Sequence, residues 1–491
     1  MLKKRRGLEI FFYFLLFLIL AAAFYIRIYN LGARSLWLDE AWVANAIIQA
    51  DISLVIKKSL TAPLFFVLSI HYLAVLLGKT EFVLRLLPCL FGFGTLILFY
   101  LLIRRITGKT AALVTLLMLS FSHQFIHYSK ELKQYSGAMF FTLILVYLCE
   151  KILISNRNKD WVLFSLFCVL GVGFDHSLLF IVPTVFTVLL FNLSFKQNWK
   201  KLLYSGGLVF TFSFLFFVFQ TLNQISNNIG SIQRYWVSFY PNLSSFSSFL
   251  NWLVVSFERM FHYFELPFFP VSFLVVILGL SLFYKKSKKR YFLYIILPLI
   301  FVLTASFLRR YPFGGSRLML FFAPLLYFAF GNGLNFIFEK LNRNRLYLPL
   351  ICTALILSIS PVSNLFHTIK HPYKQEETRP LLNKVMRYME PGDKVYVYYG
   401  AKQAFEFYYR TEFYEMMETK NIIWGNNHRD DISKYSSDLE KYLQKNTRIW
   451  IIFSHYREKE RASIINFIEK KGNRIREFHS TGSVAYLFRI Q

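Results

Sequence analysis

Three short clusters of ionisable side chains stand out in an otherwise apolar chain. A carboxylate beside a substrate hydroxyl can remove its proton as a general base. Lysine and arginine bind phosphate through charge-assisted hydrogen bonds, and arginine can make two in parallel. Acidic and basic clusters together therefore indicate a reaction in which a hydroxyl attacks and a phosphate leaves. The clusters are Asp39 with Glu40, Glu131 with Lys133, and Arg309 and Arg310 with Arg317.

Each cluster also has a purely structural interpretation. Asp39 can cap the N-terminus of a helix that runs to about Ala50. The second cluster can form an ion pair, which offsets part of the cost of a charge near a membrane, about 2.5–3.5 kcal/mol at a helix centre. In the third cluster, the first two arginines can contact lipid headgroups. Arg317 opens the next helix, so we expect it to be held more rigidly.

The composition excludes a soluble globular protein. The chain has 491 residues, of which 55% are hydrophobic, and its mean hydropathy is +0.41. Apolar runs long enough to span a bilayer recur from Leu8 to about Pro361, whereas the remainder is charged and mixed. We therefore expect a mainly α fold, with a polytopic transmembrane catalytic domain at 1–365 and a small α/β domain at 366–491.

The formal net charge of +28 does not indicate a nucleic-acid partner. Most basic residues lie in short loops between apolar runs, where Lys and Arg set the orientation in the membrane. All four cysteines lie inside apolar segments, so we expect neither a disulfide framework nor a CxxC metal site. The N-terminal KKRR and the apolar run after it resemble a signal peptide. However, the run continues to Ile28, which favours an uncleaved first helix.

The loop charges indicate how the apolar segments cross the membrane. If the segments at 61–77 and 82–103 both span, the later basic loops face outside, against the positive-inside rule. If 61–77 lies at the interface, these loops, including the run at 285–290, face the cytoplasm. We adopt this arrangement, which places all three clusters and the C-terminal domain outside. It predicts about eleven transmembrane helices, at roughly 8–29, 82–103, 111–127, 137–154, 161–174, 178–195, 202–221, 268–284, 291–308, 318–338 and 346–362.

Two long outer loops and the C-terminal part complete the predicted organisation. Long loops usually carry function, and those at 30–81 and 222–267 are the longest. We expect interfacial helices in the first, anchored by Trp37 and Trp42. The C-terminal part lacks GxGxxG and Walker motifs, so nucleotide binding is not indicated. It alternates strands at 395–399, 422–424, 450–454 and 484–488 with helices at 376–390, 401–410, 433–445 and 457–471.

One reaction requires an acid, a phosphate-binding cation and an apolar setting together. This reaction is the transfer of a sugar from a lipid-phosphate carrier. A carboxylate takes the proton of the acceptor hydroxyl, the hydroxyl attacks the anomeric carbon, and the lipid phosphate leaves. Pre-placed cations stabilise the charge of the leaving phosphate. A single displacement of this kind inverts the anomeric centre and needs only one base.

Four motifs in sequence resemble those of the C-type (GT-C) membrane glycosyltransferases. They are LWLDEAW, then APLFFVL followed by EFVLRLLPCLFG, then HYSKELKQYSGAMF, and finally GGSRLMLFFAPLLYFAFG. The resemblance is greatest to glycosyltransferase family 39 and its bacterial relatives, including the aminoarabinose transferases, and covers about residues 1–365. It implies a polyprenyl-phosphate-sugar donor and an active site in the first extracytoplasmic loop.

The resemblance also implies roles for individual residues. Asp39 matches the family's catalytic acidic position, and Glu40 matches its partner. Arg317 matches a position expected to contact the carrier phosphate. His176, in GFDHSLL, lies where relatives often place a histidine after a short span, although a buried structural histidine is an equal alternative.

Two departures from the family pattern affect the phosphate site. Glu131, Lys133 and Tyr135 match a loop that usually reads acid-x-Arg-x-Tyr, so lysine replaces the usual arginine. Relatives have a Lys or His just before the prolines of the segment that here reads TAPLFF, and Thr61 and its neighbour offer no such cation. The phosphate contact is therefore expected to depend on Arg317, with Arg310 and Lys133. No cofactor is indicated and no metal ligands are assigned, while a divalent cation stays open.

The leading hypothesis is an inverting glycosyltransferase of the plasma (inner) membrane with Asp39 as general base. Its donor is a polyprenyl-phosphate-linked monosaccharide, and its acceptor is an envelope lipid, a polysaccharide or a protein. A protein O-mannosyltransferase would use the same residues, although no β-trefoil insertion is evident. A lipid or sugar transporter would place charges near the midplane in paired halves, which the sequence does not show. A binding or scaffold protein with the α/β tail as receptor is the third class.

Overall fold

The structure is a computed structural model that describes residues 2–59, 62–221, 234–285, 288–429 and 431–491. The chain forms two compact units, each built from separate stretches of sequence. We call them the helical unit and the mixed unit. The helical unit consists of Met1–Tyr29, Ala62–Phe66 and Arg85–Pro372, and the mixed unit of Asn30–Thr61, Val67–Leu84 and Tyr373–Gln491.

Helices account for most of the described chain, and one sheet lies near the C-terminus. The helices are α1 (Leu2–Ile28), α2 (Leu38–Ile47), α3 (Ile52–Lys58), α4 (Leu64–Leu77), α5 (Glu81–Ile106), α6 (Lys109–Phe121), α7 (His123–Ser129), α8 (Tyr135–Ser155), α9 (Asn158–Phe174), α10 (Leu178–Asn192), α11 (Phe195–Phe216), α12 (Phe246–Tyr263), α13 (Phe269–Lys285), α14 (Lys289–Phe307), α15 (Ala323–Arg343), α16 (Tyr347–Lys370), α17 (Thr378–Arg387), α18 (Lys402–Tyr408), α19 (Lys434–Glu440) and α20 (Glu458–Glu469). The strands are β1 (Lys394–Val397), β2 (Ile422–Trp424), β3 (Arg448–Ser454), β4 (Gly472–Ser480) and β5 (Ser483–Ile490).

The apolar helices make the chain a multi-pass membrane protein. Within the described residues, 7 helices are long and apolar enough to cross a membrane, and α6 with α7, bent by 57°, would make an eighth span. Three shorter helices, α4, α10 and α13, are also apolar. Each segment predicted to span corresponds to a helix or, at 111–127, to the pair α6 and α7. Helices α9, α10 and α13, with 17, 15 and 17 residues, are shorter than a full span. The predicted total of about eleven spans stays a prediction.

The N-terminal part of α1 lies at the same end of the helical unit as two of the basic loops. Glu9 of α1 forms an ion pair with Lys109 at the start of α6. Lys288, in the run at 285–290, donates to the carbonyl oxygen of Ile106 at 3.2 Å; residues 286 and 287 of this run lie outside the described residues. The N-terminus and these basic loops are expected at the same end if the segment 61–77 does not span the membrane.

Two glycines let α13 and α15 approach closely. A Cβ on Gly279 would lie 1.9 Å from the carbonyl oxygen of Ala329, and one on Gly333 would lie 2.1 Å from that of Val275. Helices that meet through such small residues pack backbone against backbone. Asn332 adds a hydrogen bond of 2.9 Å to the carbonyl oxygen of Gly279. The contact fixes α15, whose N-terminal end follows Arg317.

A buried carboxylate joins α8 to α14. Glu150 is 1% exposed, and its Oε1 lies 2.8 Å from Nε of Arg290. The hydroxyls of Tyr291 and Tyr294 donate to the two carboxylate oxygens at 2.9 and 3.1 Å. A charge in an apolar bundle is tolerated when it is paired and hydrogen-bonded in this way.

The mixed unit contains a five-stranded sheet in the order β2-β1-β3-β5-β4. Strand β1 pairs in parallel with β2 and β3, and β5 pairs antiparallel with β3 and β4. All four predicted strands are present, which confirms the small C-terminal sheet. Strand β4 was not predicted, because its side chains are mostly exposed and include the charged Arg474, Arg476 and Glu477, so that it lacks the apolar pattern of a buried strand. The core contains Tyr396, Ile451, Phe453, Ile464 and Tyr486.

Replacing Glu150 by alanine should destabilise the helical unit. The change leaves the Arg290 guanidinium and two tyrosine hydroxyls without their acceptor, and breaking a buried pair costs about 3–5 kcal/mol. Because the Arg290 side chain is 35% exposed, we expect the free energy of unfolding to fall by about 3 kcal/mol. Thermal unfolding of the purified protein in detergent measures it.

Glu339→Ala is the matched control, since Glu339 is an exposed carboxylate on α15 that accepts from Asn335. Equal melting temperatures for Glu150→Ala and Glu339→Ala would contradict the proposed role of the buried pair.

Candidate functional site

The acidic cluster lies in the first turn of α2, in the mixed unit. Trp37 occupies the N-cap position, so Asp39 is the second residue of the helix and the predicted cap role is wrong. The helix begins at Leu38, two residues earlier than an Asp39 cap requires. Glu40 is fully buried, and its Oε1 accepts from Nη2 of Arg34 at 3.1 Å. Asp39 is partly exposed, so the side chain predicted to be the base is the more accessible of the two.

The second cluster lies in the loop between α7 and α8, in the helical unit. Glu131 is fully buried and Lys133 is 7% exposed. Oε2 of Glu131 lies 3.3 Å from Nε2 of His127, one helical turn earlier. The neighbouring Lys130 donates to the carbonyl oxygens of Ile26 and Tyr29. These carbonyls end α1, so the loop is attached to the C-terminal end of that helix.

The third cluster depends on two glycines for its geometry. Gly314 has φ +131°, a conformation that L side chains rarely adopt. A Cβ on Gly315 would lie 2.1 Å from the carbonyl oxygen of Arg259 on α12. The hydroxyl of Tyr311 donates to the carbonyl oxygen of Leu318 at 2.6 Å and closes the loop. The GG pair of the motif GGSR is therefore required by the turn that leads into Arg317.

The loop brings Arg317 to the second cluster but leaves the other two arginines at the surface. The guanidinium carbon of Arg317 lies 5.7 Å from the centroid of the Tyr135 ring, a cation–π arrangement that orients the side chain. Tyr135 is buried at the start of α8, two residues after Lys133. Arg309 and Arg310 are both exposed. Among the predicted phosphate ligands, Arg317 is thus held on its partner loop, whereas Arg310 is not.

A third loop, between α9 and α10, contributes Asp175 and His176. Asp175 is buried, and its Oδ1 accepts from the backbone N–H of Ser177 at 2.8 Å. Burial raises the pKa of Asp175 to about 6. Burial also raises the pKa of Tyr311, and the nearby Asp175 and Tyr135 act in the same direction. His176 is partly exposed. We call Glu131, Lys133, Tyr135, Asp175 and Arg317 the polar end of the helical unit.

Two tyrosines that the sequence analysis did not select complete the polar end. The hydroxyl of Tyr263, the last residue of α12, donates to that of Tyr128 on α7 at 2.8 Å. The Tyr128 ring stands edge-on to the Tyr135 ring, with centroids 5.2 Å apart. Burial is the largest cause of the raised pKa of Tyr263, and the nearby Tyr128 and Tyr135 act in the same direction. The positive charge of Arg317 acts in the opposite direction. Tyr128 lies inside the motif HYSKELKQY, so the sequence pattern could have indicated it as a site residue. Nothing in the sequence indicates such a role for Tyr263.

A separate cavity of about 700 Å³ lies beside α12 in the helical unit. It contains two arginines, several amide and hydroxyl side chains and one indole. None of its lining residues, all within the described chain, is acidic. They are Val237, Ser238, Tyr240, Pro241, Asn242, Leu243, Ser244, Ser248, Asn251, Trp252, Val255, Arg259 and Arg309.

In the described part of the chain, no group of three or more His, Cys, Asp or Glu side chains is arranged to hold a metal ion. Thr61, in the segment where relatives have a cation or ligand, lies outside the described residues.

A family model describes one part of the chain. The model for dolichyl-phosphate-mannose-protein mannosyltransferase matches residues 61–217. No curated protein matches the sequence significantly.

Solved structures match the fold over nearly the whole chain. ArnT from Cupriavidus metallidurans in the apo state is 12% identical, with a TM-score of 0.51, and the match covers 96% of this chain and 97% of ArnT. The same protein bound to undecaprenyl phosphate is also 12% identical, with a TM-score of 0.53 and equal coverage. The oligosaccharyltransferase of Archaeoglobus fulgidus, in complex with Zn and sulfate, is 13% identical, with a TM-score of 0.51 and coverage of 96% and 72%. The chain therefore has the fold of the C-type membrane glycosyltransferases, and the resemblance predicted from the four motifs is confirmed.

The buried Asp175 should make stability depend on pH. Its folded-state pKa of about 6 lies above the usual aspartate value of 3.8, so folding favours the protonated form. The contribution of Asp175 to the free energy of unfolding is fully present below about pH 4. It is lost as the pH rises through about 6, and the total loss is up to about 3 kcal/mol. Asp175→Asn keeps an oxygen acceptor for Ser177 and removes the charge. The variant should therefore gain melting temperature over the wild type as the pH is raised from 4 to 8.

Melting curves in detergent across this pH range test the effect, with Glu258→Gln, an exposed carboxylate on α12, as control. Parallel pH profiles for wild type and Asp175→Asn would show that Asp175 does not titrate as described.

Proposed function

We propose that the protein is an inverting glycosyltransferase that moves a monosaccharide from a polyprenyl-phosphate-sugar donor to an acceptor hydroxyl. The observation that carries the proposal is the fold match over 96% of this chain and 97% of ArnT, one of whose structures binds undecaprenyl phosphate. The family model for an enzyme that uses dolichyl-phosphate-mannose supports the same class of donor.

In the proposed reaction, Asp39 is the general base. Its carboxylate takes the proton of the acceptor hydroxyl as the hydroxyl oxygen bonds to the anomeric carbon. The bond from that carbon to the phosphate oxygen breaks, and polyprenyl phosphate leaves. Glu40 is assigned to support Asp39. The partial exposure of Asp39 and the burial of Glu40 agree with this division of roles.

The phosphate ligands in this proposal are Arg317 and Lys133, with Arg310 as a further contact. Glu131, Tyr135 and His176 are assigned supporting roles. The packing of Arg317 on the Tyr135 ring favours Arg317 as the main ligand, because a side chain that is already oriented stabilises the leaving charge without reorganisation. The exposure of Arg310 favours a weaker contribution.

We infer that the enzyme is a plasma (inner) membrane protein whose active site and C-terminal domain are extracytoplasmic. In this assignment, residues 1–365 form the transmembrane catalytic domain and 366–491 the α/β domain. The contacts of Glu9 with Lys109 and of Lys288 with Ile106 favour a cytoplasmic N-terminus, because they group it with basic loops.

The cavity beside α12 suits the headgroup of an acceptor. Its amide and hydroxyl side chains can hydrogen-bond sugar hydroxyls, and Arg259 and Arg309 can bind a negative group. We therefore propose that the acceptor is a hydroxyl-rich and anionic molecule of the envelope, either a lipid or a glycan.

The family model favours one alternative, a protein O-mannosyltransferase. It would use the same base and phosphate ligands but would take a serine or threonine hydroxyl as acceptor. Incubating the purified protein with a panel of polyprenyl-phosphate monosaccharides and scoring release of the lipid phosphate identifies the donor. Addition of lipid, glycan or peptide acceptors to the same assay separates the two functions. Failure to release lipid phosphate from any donor would refute both.

Asp39→Asn should lower kcat by about 10³-fold or more, because the acceptor hydroxyl then has no base. Binding of the donor, measured by native mass spectrometry, should stay close to that of the wild type. Asp51→Asn is the matched control, since Asp51 lies in the same loop and caps α3 by accepting from the N–H of Ser53 at 2.8 Å. Near-normal turnover by Asp39→Asn would remove Asp39 from the base role.

Arg317→Ala should lower kcat/KM for the donor by about 10²- to 10³-fold, because the leaving phosphate loses its main cation. Arg317→Lys should recover only part of the activity, since lysine lacks the planar paired donors. Arg310→Ala should have a smaller effect. Arg343→Ala, at the exposed C-terminal end of α15, serves as control. Donor kinetics unaffected by Arg317→Ala would assign the phosphate to other residues.

A further inference from the structure

The segment that leads into the acidic helix is held by side chains from the distant C-terminal part of the chain. Three backbone N–H groups immediately before Asp39 donate to these side chains, all within the mixed unit. Backbone donors that are buried must find an acceptor, and here each acceptor lies more than 300 positions away in sequence. The bonds run from Ser35 to Oε2 of Glu377 at 3.4 Å, from Leu36 to the hydroxyl of Tyr408 at 2.8 Å, and from Leu38 to Oε2 of Glu376 at 3.0 Å.

Glu376 replaces the missing cap of α2. Trp37 makes no side-chain cap bond, and Leu38 is the first residue of the helix. A carboxylate at this position satisfies one of the unpaired N–H groups of the first turn and interacts favourably with the helix dipole. Glu376 is 5% exposed, and its Oε1 lies 2.7 Å from Nδ1 of His455, just after β3. The cap is therefore itself fixed by the sheet.

Tyr408 is also constrained by its partners. It is fully buried at the end of α18, and its hydroxyl donates to Oε1 of Glu81 at 3.0 Å. Because its proton is directed to Glu81, the hydroxyl oxygen is oriented to accept from Leu36. Glu81 in turn pairs with Nη1 of Arg379 at 3.2 Å.

Ser35 closes the network around the segment. Its hydroxyl donates to Oε2 of Glu377 at 3.3 Å and accepts from the backbone N–H of Arg379 at 3.1 Å. Further along α2, Nδ2 of Asn45 donates to the carbonyl oxygen of Gln403 on α18 at 2.9 Å. The helix is thus attached to the C-terminal part both before and after its first turn.

We propose that Glu376, Glu377 and Tyr408 are positioning residues for Asp39. They fix the backbone of residues 35–38, and with it the direction in which the first turn of α2 presents the carboxylate. The C-terminal α/β part then belongs to the catalytic apparatus and is not a separate receptor module. This inference rests on the proposed role of Asp39 as general base. Misplacing a reacting group by about 1 Å can cost about 10²-fold in rate, so loss of these bonds lowers turnover without removing any group that touches substrate.

The first test is kinetic. Glu376→Ala and Tyr408→Phe should each lower kcat by about 10- to 100-fold, while KM for the donor stays within about threefold. Glu376→Gln, which keeps an oxygen acceptor for Leu38, should restore most of the activity. A rise in KM with unchanged kcat, or no change in either, would overturn the positioning role.

Two matched controls separate positioning from general damage to the fold. Tyr409→Phe removes the hydroxyl of the adjacent buried tyrosine, which donates to the carbonyl oxygen of Met417 at 3.2 Å and not to the segment 35–38. Glu460→Ala removes a buried carboxylate that accepts from Tyr435 at 3.0 Å inside the sheet core. Both should keep kcat within about twofold of wild type, even where the melting temperature falls. Equal losses of kcat in the controls and in the test variants would overturn the inference.

The second test does not depend on activity. Hydrogen–deuterium exchange followed by mass spectrometry should show exchange at least about tenfold faster in peptides covering Leu36 in Tyr408→Phe, and in those covering Leu38 in Glu376→Ala, with β3 unchanged. Unchanged exchange in these peptides would overturn the inference whether or not the enzyme transfers sugar. If the wild type releases lipid phosphate from no donor, the proposed function fails, while the exchange result still decides whether these side chains hold the segment.

Discussion

The structure depends on one constraint: in the apolar interior of a helix bundle or a bilayer, water cannot satisfy charged and backbone polar groups, so their partners must come from the protein. Glu150 meets this requirement with an arginine and two tyrosine hydroxyls on a neighbouring helix. Lys130 meets it with the carbonyl oxygens at the end of α1. Each solution also joins two elements of the chain. The need to give each buried polar group a hydrogen-bond partner therefore helps to fix how the helices are arranged, and it allows them to carry charged side chains.

The same constraint organises the polar end of the helical unit. Short loops between apolar helices leave little room for hydrated side chains, so the charged and phenolic groups there contact one another. Arg317 packs on the ring of Tyr135, and Tyr263 donates to Tyr128. An apolar setting strengthens each electrostatic interaction, and an oriented cation in such a setting suits the stabilisation of a leaving phosphate. Structural and proposed catalytic requirements thus coincide in the same side chains.

The mixed unit joins regions that are far apart in sequence. The acidic helix α2 precedes most of the apolar helices, whereas the side chains that hold its N-terminal end follow all of them. The motif LWLDEAW therefore does not fix its own backbone geometry, because Leu36 and Leu38 within it donate to Tyr408 and Glu376.

The sequence by itself determined the elements whose signal is local. Long apolar runs became helices, and the short β-branched and aromatic runs became β1, β2, β3 and β5. These features depend on neighbours within a few positions, where periodicity and backbone preference act. The motifs also sufficed to indicate the fold family.

Only the tertiary structure decided which groups meet. It showed that Asp39 is not a helix cap, that Glu376 bonds to the first N–H of α2, and that Tyr263 belongs to the polar end. It also showed that Arg310 is exposed whereas Arg317 is only partly exposed. Strand β4 likewise has a charged, exposed sequence and is defined by its pairing with β5. A hydrogen bond between residues that are hundreds of positions apart produces no periodic pattern in the sequence, because tertiary packing and not local backbone preference determines which groups pair.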